Sequence, residues 1–289
     1  MAFSFSEDYY HQYARDGFVV FGDIVPPSLI SDLRTTLAPV EDFIRENPRT
    51  DHRAKSAKKD VKPDMRRYGP VSDYAHLMPS FESVQNFCEL PALMDAVKKI
   101  TTADSHFGTP DTLEVLRSPV RSVYSTPWHR DFLRTPGKGD PTYQEVFDLI
   151  DEQPGFFHQF NCPLYRERSL WYVPASFSRP DTTDEQAFDW GAPGHKRARS
   201  NGTSASFVDR EKASLAYARS MPGAVELSLE PGDFVLYRNT GWHMGRCLPY
   251  QQRLTFHNEI HNTAFDCYMD DYFRMKSGYP RDPAKTQVS

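Results

Sequence analysis

A mostly β domain with flanking helices is expected from this chain on three counts. Twenty-three of its 289 residues are proline, and proline is excluded from helix interiors and central strands, which favours short elements joined by extended connections. From about residue 112 onward, short β-branched and aromatic runs dominate the sequence. One of them, Ala224 to Leu229, alternates cleanly, with Val225, Leu227 and Leu229 on a single face. Apolar content of 39 %, a third of it aromatic (13 %), is ample for a core.

The N-terminal third reads as helical lead-in. Glu7 to Asp16 forms a short helix with Tyr9, Tyr10, Tyr13 and Ala14 on one side, Gly17 breaks it, and Phe18 to Phe21 is a compact strand. Pro26 and Pro27 open a second helix, where Leu29, Ile30, Leu33 and Leu37 fall at helical spacing and Pro39 stands near the end. From Arg45 to Arg67 the chain is basic and nearly devoid of large apolar residues, a solvated loop by composition, although Arg66, Arg67 and their neighbours could also grip an anion. Phe87 to Ile100 is amphipathic through Leu90, Leu93, Met94 and Val97.

Strands follow at Thr112 to Leu116, Ser122 to Tyr124 leading into Trp128 and His129, Phe156 to Cys162, and Leu170 to Val173. After Ala224 to Leu229, the turn Glu230-Pro231-Gly232-Asp233 separates that strand from Phe234 to Tyr237, and Arg253 to Ile260 closes the series. Ser178 to Pro222 interrupts the strands with few aliphatic residues, and a connection of this length inside a domain is usually a functional lid or a disordered insertion. The expected organisation is one domain over 1–289, with a helical segment of about 1–100 and a lid-like insertion of about 178–222 whose anchors are Phe188, Trp190, Phe207 and Tyr217.

A net charge of −5 offers no overall basic field for nucleic acid or an anionic membrane. No apolar run reaches bilayer-spanning length, and the first residues lack a signal-peptide pattern. Cys88, Cys162, Cys247 and Cys267 are spread without a Cys-x-x-Cys pair. A cytoplasmic protein with reduced thiols and a small-molecule substrate is expected; the oligomeric state is not legible.

The chemistry gathers on three residues. His129 and Asp131 are two apart on a strand end, so the period of two sends both side chains to one face. His243 follows the Phe234 to Tyr237 strand. Two imidazoles and one carboxylate on one side of a metal leave three positions open, the arrangement suited to non-haem Fe(II). His-x-Asp alone is a weak signal, and His257-Asn258-Glu259 is a rival pair. The ordered series of strand, His129-x-Asp131, strands, Pro231-Gly232-Asp233, strand, His243 and then Arg253 raises it. Arg253 offers a planar fork for a carboxylate, with Arg246 as the competing choice. Gln159 and Asn161, alternate polar residues on an apolar strand, are further candidate cosubstrate contacts. His257 and His261 stand four apart, but on a strand rather than on a zinc-binding helix.

With those residues in place, the sequence resembles the phytanoyl-CoA dioxygenase-like superfamily of Fe(II)/2-oxoglutarate oxygenases over most of its length. "YYHQYARDGFVVFGDIVPPSLISDLRTTL" is similar to its N-terminal helix–strand–helix, "TPWHRDF" to its His-x-Asp strand, "EPGDFVLYRNTGWHMG" to its distal-histidine segment and "QQRLTFHNEI" to its closing strand. In "LWYVPAS", Ala175-Ser176-Phe177 stands where members typically have Gly-Ser-His, so no role transfers to a histidine there. The resemblance implies a double-stranded β-helix (jelly-roll, cupin-like) core, with Fe(II) on His129, Asp131 and His243, 2-oxoglutarate reaching Arg253, and O₂ as the other cosubstrate. It further implies hydroxylation or another oxidation of a small organic molecule, possible natural-product intermediates included, with release of succinate and CO₂. Related halogenases carry Gly or Ala in place of the acid, so the presence of Asp131 argues for oxidation without halide. A cupin-type isomerase or epimerase, which would not need Arg253 opposite the metal, and a non-catalytic binding protein, which would not need to preserve three ligands, are the alternatives.

Overall fold

The computed structural model describes residues 3–46, 66–118, 123–133, 142–189 and 206–276. Its first helix, α1 (Glu7–Asp16), begins at Ser6, whose side chain accepts a hydrogen bond from the Asp8 N–H at 3.2 Å. It ends at Gly17, which is in the left-handed region at φ 78°. Glycine is required there twice over, since a Cβ would lie 2.4 Å from the Phe177 ring and 2.8 Å from the Tyr172 hydroxyl. β1 (Phe18–Phe21) follows.

Two helix boundaries differ from expectation. α2 (Pro27–Glu46) runs through Pro39, because Val40 and Ile44 continue the buried stripe of Ile30, Leu33 and Leu37 and tertiary burial outweighs one lost backbone bond. The amphipathic run around residues 87–100 is two helices, α3 (Glu82–Cys88) and α4 (Pro91–Ile100), separated where Pro91 starts the second. Most of the basic stretch lies outside the described residues; Arg67 and Tyr68 form the short strand β2 (Arg67–Tyr68).

The remaining strands are β3 (Glu114–Arg117), β4 (Tyr124–Ser125), β5 (His158–Pro163), β6 (Leu170–Tyr172), β7 (Val225–Glu226), β8 (Phe234–Arg238), β9 (His243–Cys247) and β10 (Leu254–Glu259). They form two antiparallel sheets, a six-stranded one in the order β1-β8-β5-β10-β3-β2 and a four-stranded one in the order β4-β9-β6-β7. Alternation assigns each strand residue to a layer. On the large sheet, Phe160, Cys162, Phe234, Leu236, Leu254 and Phe256 point outward, into a core shared with α2, α3 and α4. Phe18, Val235 and Tyr237 point inward and meet Leu170, Tyr172, Leu227 and Leu229 from the small sheet. This is the double-stranded β-helix, with helices packed outside.

Three helices escaped the sequence reading. α5 (Tyr143–Glu152) carries a reciprocal capping box between Thr142 and Glu145. α7 (Thr263–Lys276) packs Phe265 and Tyr268 beside Phe156 and Phe157. α6 (Phe207–Arg219) lies within the expected insertion and covers the outer face of the small sheet, where Tyr217 and Ala218 pack against Trp128, Trp171, Trp242 and Met244. Phe188 joins the same cluster. Those anchors make the described part of the insertion a packed layer. Trp190 and the stretch to residue 205 lie outside the described residues. All four cysteines are free thiols, and no described helix is long and apolar enough to cross a membrane.

His158 and His257 are fully interior. The Pro154 carbonyl can only accept, so the His158 Nε2–H donates to it at 2.6 Å and Nδ1 accepts the Tyr13 hydroxyl. Burial, reinforced by Arg238 for His158 and by Arg67 for His257, pushes both imidazoles well below the ordinary histidine range. The folded state therefore keeps them neutral while the unfolded chain takes up protons below its pKa near 6.5. Their neutral burial has no cost above that pH and is penalised as pH falls below it. Denaturant unfolding of the metal-free protein should lose about 1.4 kcal/mol per histidine between pH 7.5 and 5.5, and His158→Gln should remove about half of that pH dependence.

Candidate metal centre

The ladder between β4 and β9, within the small sheet, builds the site. β4 pairs with β9, Tyr124 opposite Cys247 and Ser125 opposite Arg246. The pairing continues until His129 stands opposite His243, with reciprocal backbone bonds of 3.1 and 2.9 Å. Two residues further, the Asp131 N–H donates to the Asn239 carbonyl at 2.8 Å. The chain then turns at Phe132, which takes the left-handed φ of 62°.

Local hydrogen bonds aim both imidazoles. The Nδ1–H of His129 donates to Pro127 O at 2.8 Å, and that of His243 to Gly241 O at 2.9 Å, in each case the carbonyl two residues earlier. Each Nε2 is thereby left as a lone-pair donor toward the site. His129 Nε2 lies 3.9 Å from Asp131 Oδ1, and His243 Nε2 lies 3.9 Å from Asp131 Oδ2. One ligand atom from each of the three residues falls within 4.8 Å of the others. Two neutral imidazoles and a carboxylate suit a divalent metal of intermediate softness such as Fe(II).

The carboxylate is held from beneath. Gln159 Nε2 donates to Asp131 Oδ2 at 3.0 Å, and the Tyr237 hydroxyl donates to Gln159 Oε1 at 2.9 Å. Burial, then the charge of Asp131, holds the Tyr237 hydroxyl protonated far above its ordinary range. Gln159 is thus committed at both ends of its amide, as a support for the metal ligand. Asn161 is committed too, since its Oδ1 accepts from His257 Nδ1 at 2.8 Å. Burial and the neighbouring Asp131 also raise the Glu259 carboxyl. His257 lies on the inner wall, and the group of residues that could hold a metal among the described ones is His129, Asp131 and His243.

A second clamp binds the two ligand segments together. Arg130, between the first two ligands, is buried and donates to Thr240 O at 2.7 Å, Ser176 O at 2.5 Å, Arg179 O at 3.0 Å and Asp181 Oδ1 at 2.5 Å. The same Asp181 oxygen accepts from the indole of Trp242, the residue before His243, at 2.9 Å. Ser176 adds an acceptor for the Trp242 N–H at 2.9 Å. Nothing in local sequence pattern pointed to Asp181, which sits 51 residues beyond Arg130.

The competing arginines separate cleanly. Arg246 shares the outward parity of Met244 and bonds Ser214 Oγ at 3.0 Å on α6. Arg253 lies on the parity of Thr255 and His257, and its Nη1 donates to Cys247 Sγ at 3.3 Å on the strand that carries His243. Its Nε and Nη2 are engaged by Glu167. Burial alone would lower the guanidinium's pKa, but the charge of Glu167 raises it further.

A cavity of about 250 Å³ touches His129 alone of the three ligands, its other walls including Trp128, Arg130, Leu133, Asp189 and Trp242.

No family model matches the chain, and no curated protein does. Solved structures do. AviO1 from Streptomyces viridochromogenes Tue57 superposes with a TM-score of 0.55 at 15 % identity, over 91 % of this chain and 98 % of that one. The non-heme alpha ketoglutarate dependent carbocyclase SnoK from nogalamycin biosynthesis gives 0.52 at 13 %, over 90 % and 85 %. HygX from Streptomyces hygroscopicus, with nickel and 2-oxoglutarate bound, gives 0.52 at 13 %, over 90 % and 88 %. These likenesses establish the fold, and they are consistent with the superfamily that the motifs resemble.

Removing Asp181 strands the Arg130 charge inside the protein. Asp181→Ala should cost about 3–5 kcal/mol in denaturant unfolding. It should also weaken Fe(II) binding in an anaerobic titration, because both ligand segments lose their common tie.

Proposed function

We propose that this chain is an Fe(II)- and 2-oxoglutarate-dependent oxygenase that oxidises a C–H bond of a small organic molecule, with release of succinate and CO₂. One observation carries the reading: two imidazole Nε2 atoms and one carboxylate, each oriented by its own hydrogen bond, converge on one point. Among the described residues three protein donors converge there, which leaves coordination positions for a 2-oxo acid and O₂. When bound, Fe(II), the 2-oxo acid and O₂ together supply an oxidant able to attack an unactivated C–H bond.

The chain's own contribution is geometric. His129, Asp131 and His243 hold the metal on one side, and Gln159 and Tyr237 keep the Asp131 carboxylate turned toward it. Arg253 faces the strand of His243 and is the cation for the far end of the cosubstrate. Placement of the target C–H bond relative to the metal decides among hydroxylation, desaturation and ring closure, and a misplacement of about 1 Å changes rates on the order of a hundredfold. A carbocyclase among the structural neighbours makes ring closure a concrete alternative outcome on this scaffold. Asp131 fills the position that a halide would need, which favours oxidation.

The reading is tested by metal-to-ligand charge transfer. Anaerobic protein with Fe(II) should develop a weak visible band on addition of saturating 2-oxoglutarate. His129→Ala, Asp131→Ala and His243→Ala should each lose that band, together with succinate formation in air, while keeping the far-ultraviolet spectrum of the folded protein. A His243→Ala protein with an unchanged band and unchanged turnover would remove the triad from consideration.

A further inference from the structure

The cation assigned to the cosubstrate already holds a carboxylate of this chain. Glu167 lies just before β6, its side chain 2 % exposed. Its Oε1 accepts from Arg253 Nε at 2.8 Å, from Arg253 Nη2 at 2.7 Å and from Ser169 Oγ at 2.5 Å. Its Oε2 accepts from the Thr255 hydroxyl. Arg253, just before β10, and Thr255, within it, are two apart, on the parity that faces the barrel interior. They are the donors that the far carboxylate of a dicarboxylic 2-oxo acid would seek. The backbone of Glu167 is not free to retreat, because it exchanges two bonds of 2.9 Å with Leu229.

We propose that Glu167 determines cosubstrate selectivity, by occupying the seat for the far carboxylate, so that the site accepts short monocarboxylic 2-oxo acids about as well as 2-oxoglutarate. The inference rests on the oxygenase reading above and narrows it. A dicarboxylate has two ways to reach Arg253. It can share the guanidinium with Glu167, which places two carboxylates around one positive charge in a buried setting. Otherwise it must expel Glu167 from its donors, which leaves a buried carboxylate without compensation. Either way, the second carboxylate of 2-oxoglutarate contributes little net affinity. A short 2-oxo acid asks nothing of Arg253 and leaves the Glu167 pair intact. Replacing Glu167 by glutamine keeps the shape and an acceptor oxygen, but removes the competing charge and restores the full attraction of Arg253 for an incoming carboxylate.

The test uses the Fe(II)-loaded, full-length protein under anaerobic conditions, titrated with 2-oxoglutarate and separately with 2-oxobutanoate, with the charge-transfer band as readout. The wild-type dissociation constants should agree within about threefold, and Glu167→Gln should tighten 2-oxoglutarate by at least about tenfold while moving 2-oxobutanoate by less than about threefold. A wild-type preference for 2-oxoglutarate of about a hundredfold would overturn the inference, and so would a Glu167→Gln protein with an unchanged ratio. If that variant does not fold, the wild-type ratio alone decides. Binding of Fe(II) with no band from either acid is a different result: it sinks the oxygenase reading itself, and the selectivity inference falls with it.

Discussion

The antiparallel pairing of His129 with His243 is the constraint on which the site's geometry depends. Backbone bonds in both directions fix the two main chains at neighbouring-strand distance, so the imidazoles arrive on the same side without any side-chain search. Asp131 gains its place from the same ladder, through its N–H to Asn239. The Arg130–Asp181 pair locks that ladder from the outside, because Asp181 joins Arg130, set between two ligands, to Trp242, set beside the third. Arg130 lies wholly inside the protein, where an uncompensated charge is costly. Its carbonyl partners and Asp181 offset that cost only when both ligand segments are in register. The ion pair therefore reports on the alignment of the site more than it adds to net stability.

A second consequence of the two-sheet architecture is a polar interior enclosed by apolar layers. Phenylalanines and leucines on the outward parity of the large sheet pack against helices, and tryptophans on the outward parity of the small sheet pack against α6. The inward parity carries Gln159, Asn161, Thr255 and His257. Each has a partner in the chain: Gln159 with Asp131 and Tyr237, Asn161 with His257, Thr255 with Glu167. Buried polar groups are tolerated when they are satisfied in this way. The site therefore stands ordered by its own hydrogen bonds, as preorganisation requires.

Period-two patterning made much of this legible in advance. Val225, Leu227 and Leu229 do share a face, which packs into the space between the sheets, and His129 and Asp131 do converge with His243. That Arg253 and Arg246 lie on opposite parities follows from the same alternation once β9 and β10 are in hand. What stayed hidden depends on contacts far apart in the chain. Glu167 meets Arg253 from 86 residues away, and Asp181 meets Trp242 from 61; no local periodicity announces such pairs. α6 was missed for a related reason. Its own composition is polar, and only the tryptophan-rich face it covers, supplied by β6, β9 and residue 128, stabilises it as a helix.

The departure at Ala175-Ser176-Phe177 acquires a physical account in the same terms. Ser176 donates to Val173 O at 2.7 Å and accepts from the Trp242 N–H, so its hydroxyl closes the turn and ties it to the segment of His243. Ala175 stands at φ 57° with its N–H on Asp16 O at 2.9 Å, which brings the turn against the end of α1. Phe177 then lies over Gly17, in contact that leaves no space for a Cβ. The residues that replace the usual Gly-Ser-His therefore act through packing, and they join α1 to the metal-binding end of the barrel. A glycine at 17 and a phenylalanine at 177 are two halves of one fit: enlarging the first or shrinking the second would loosen the turn that Arg130 uses through Ser176 O.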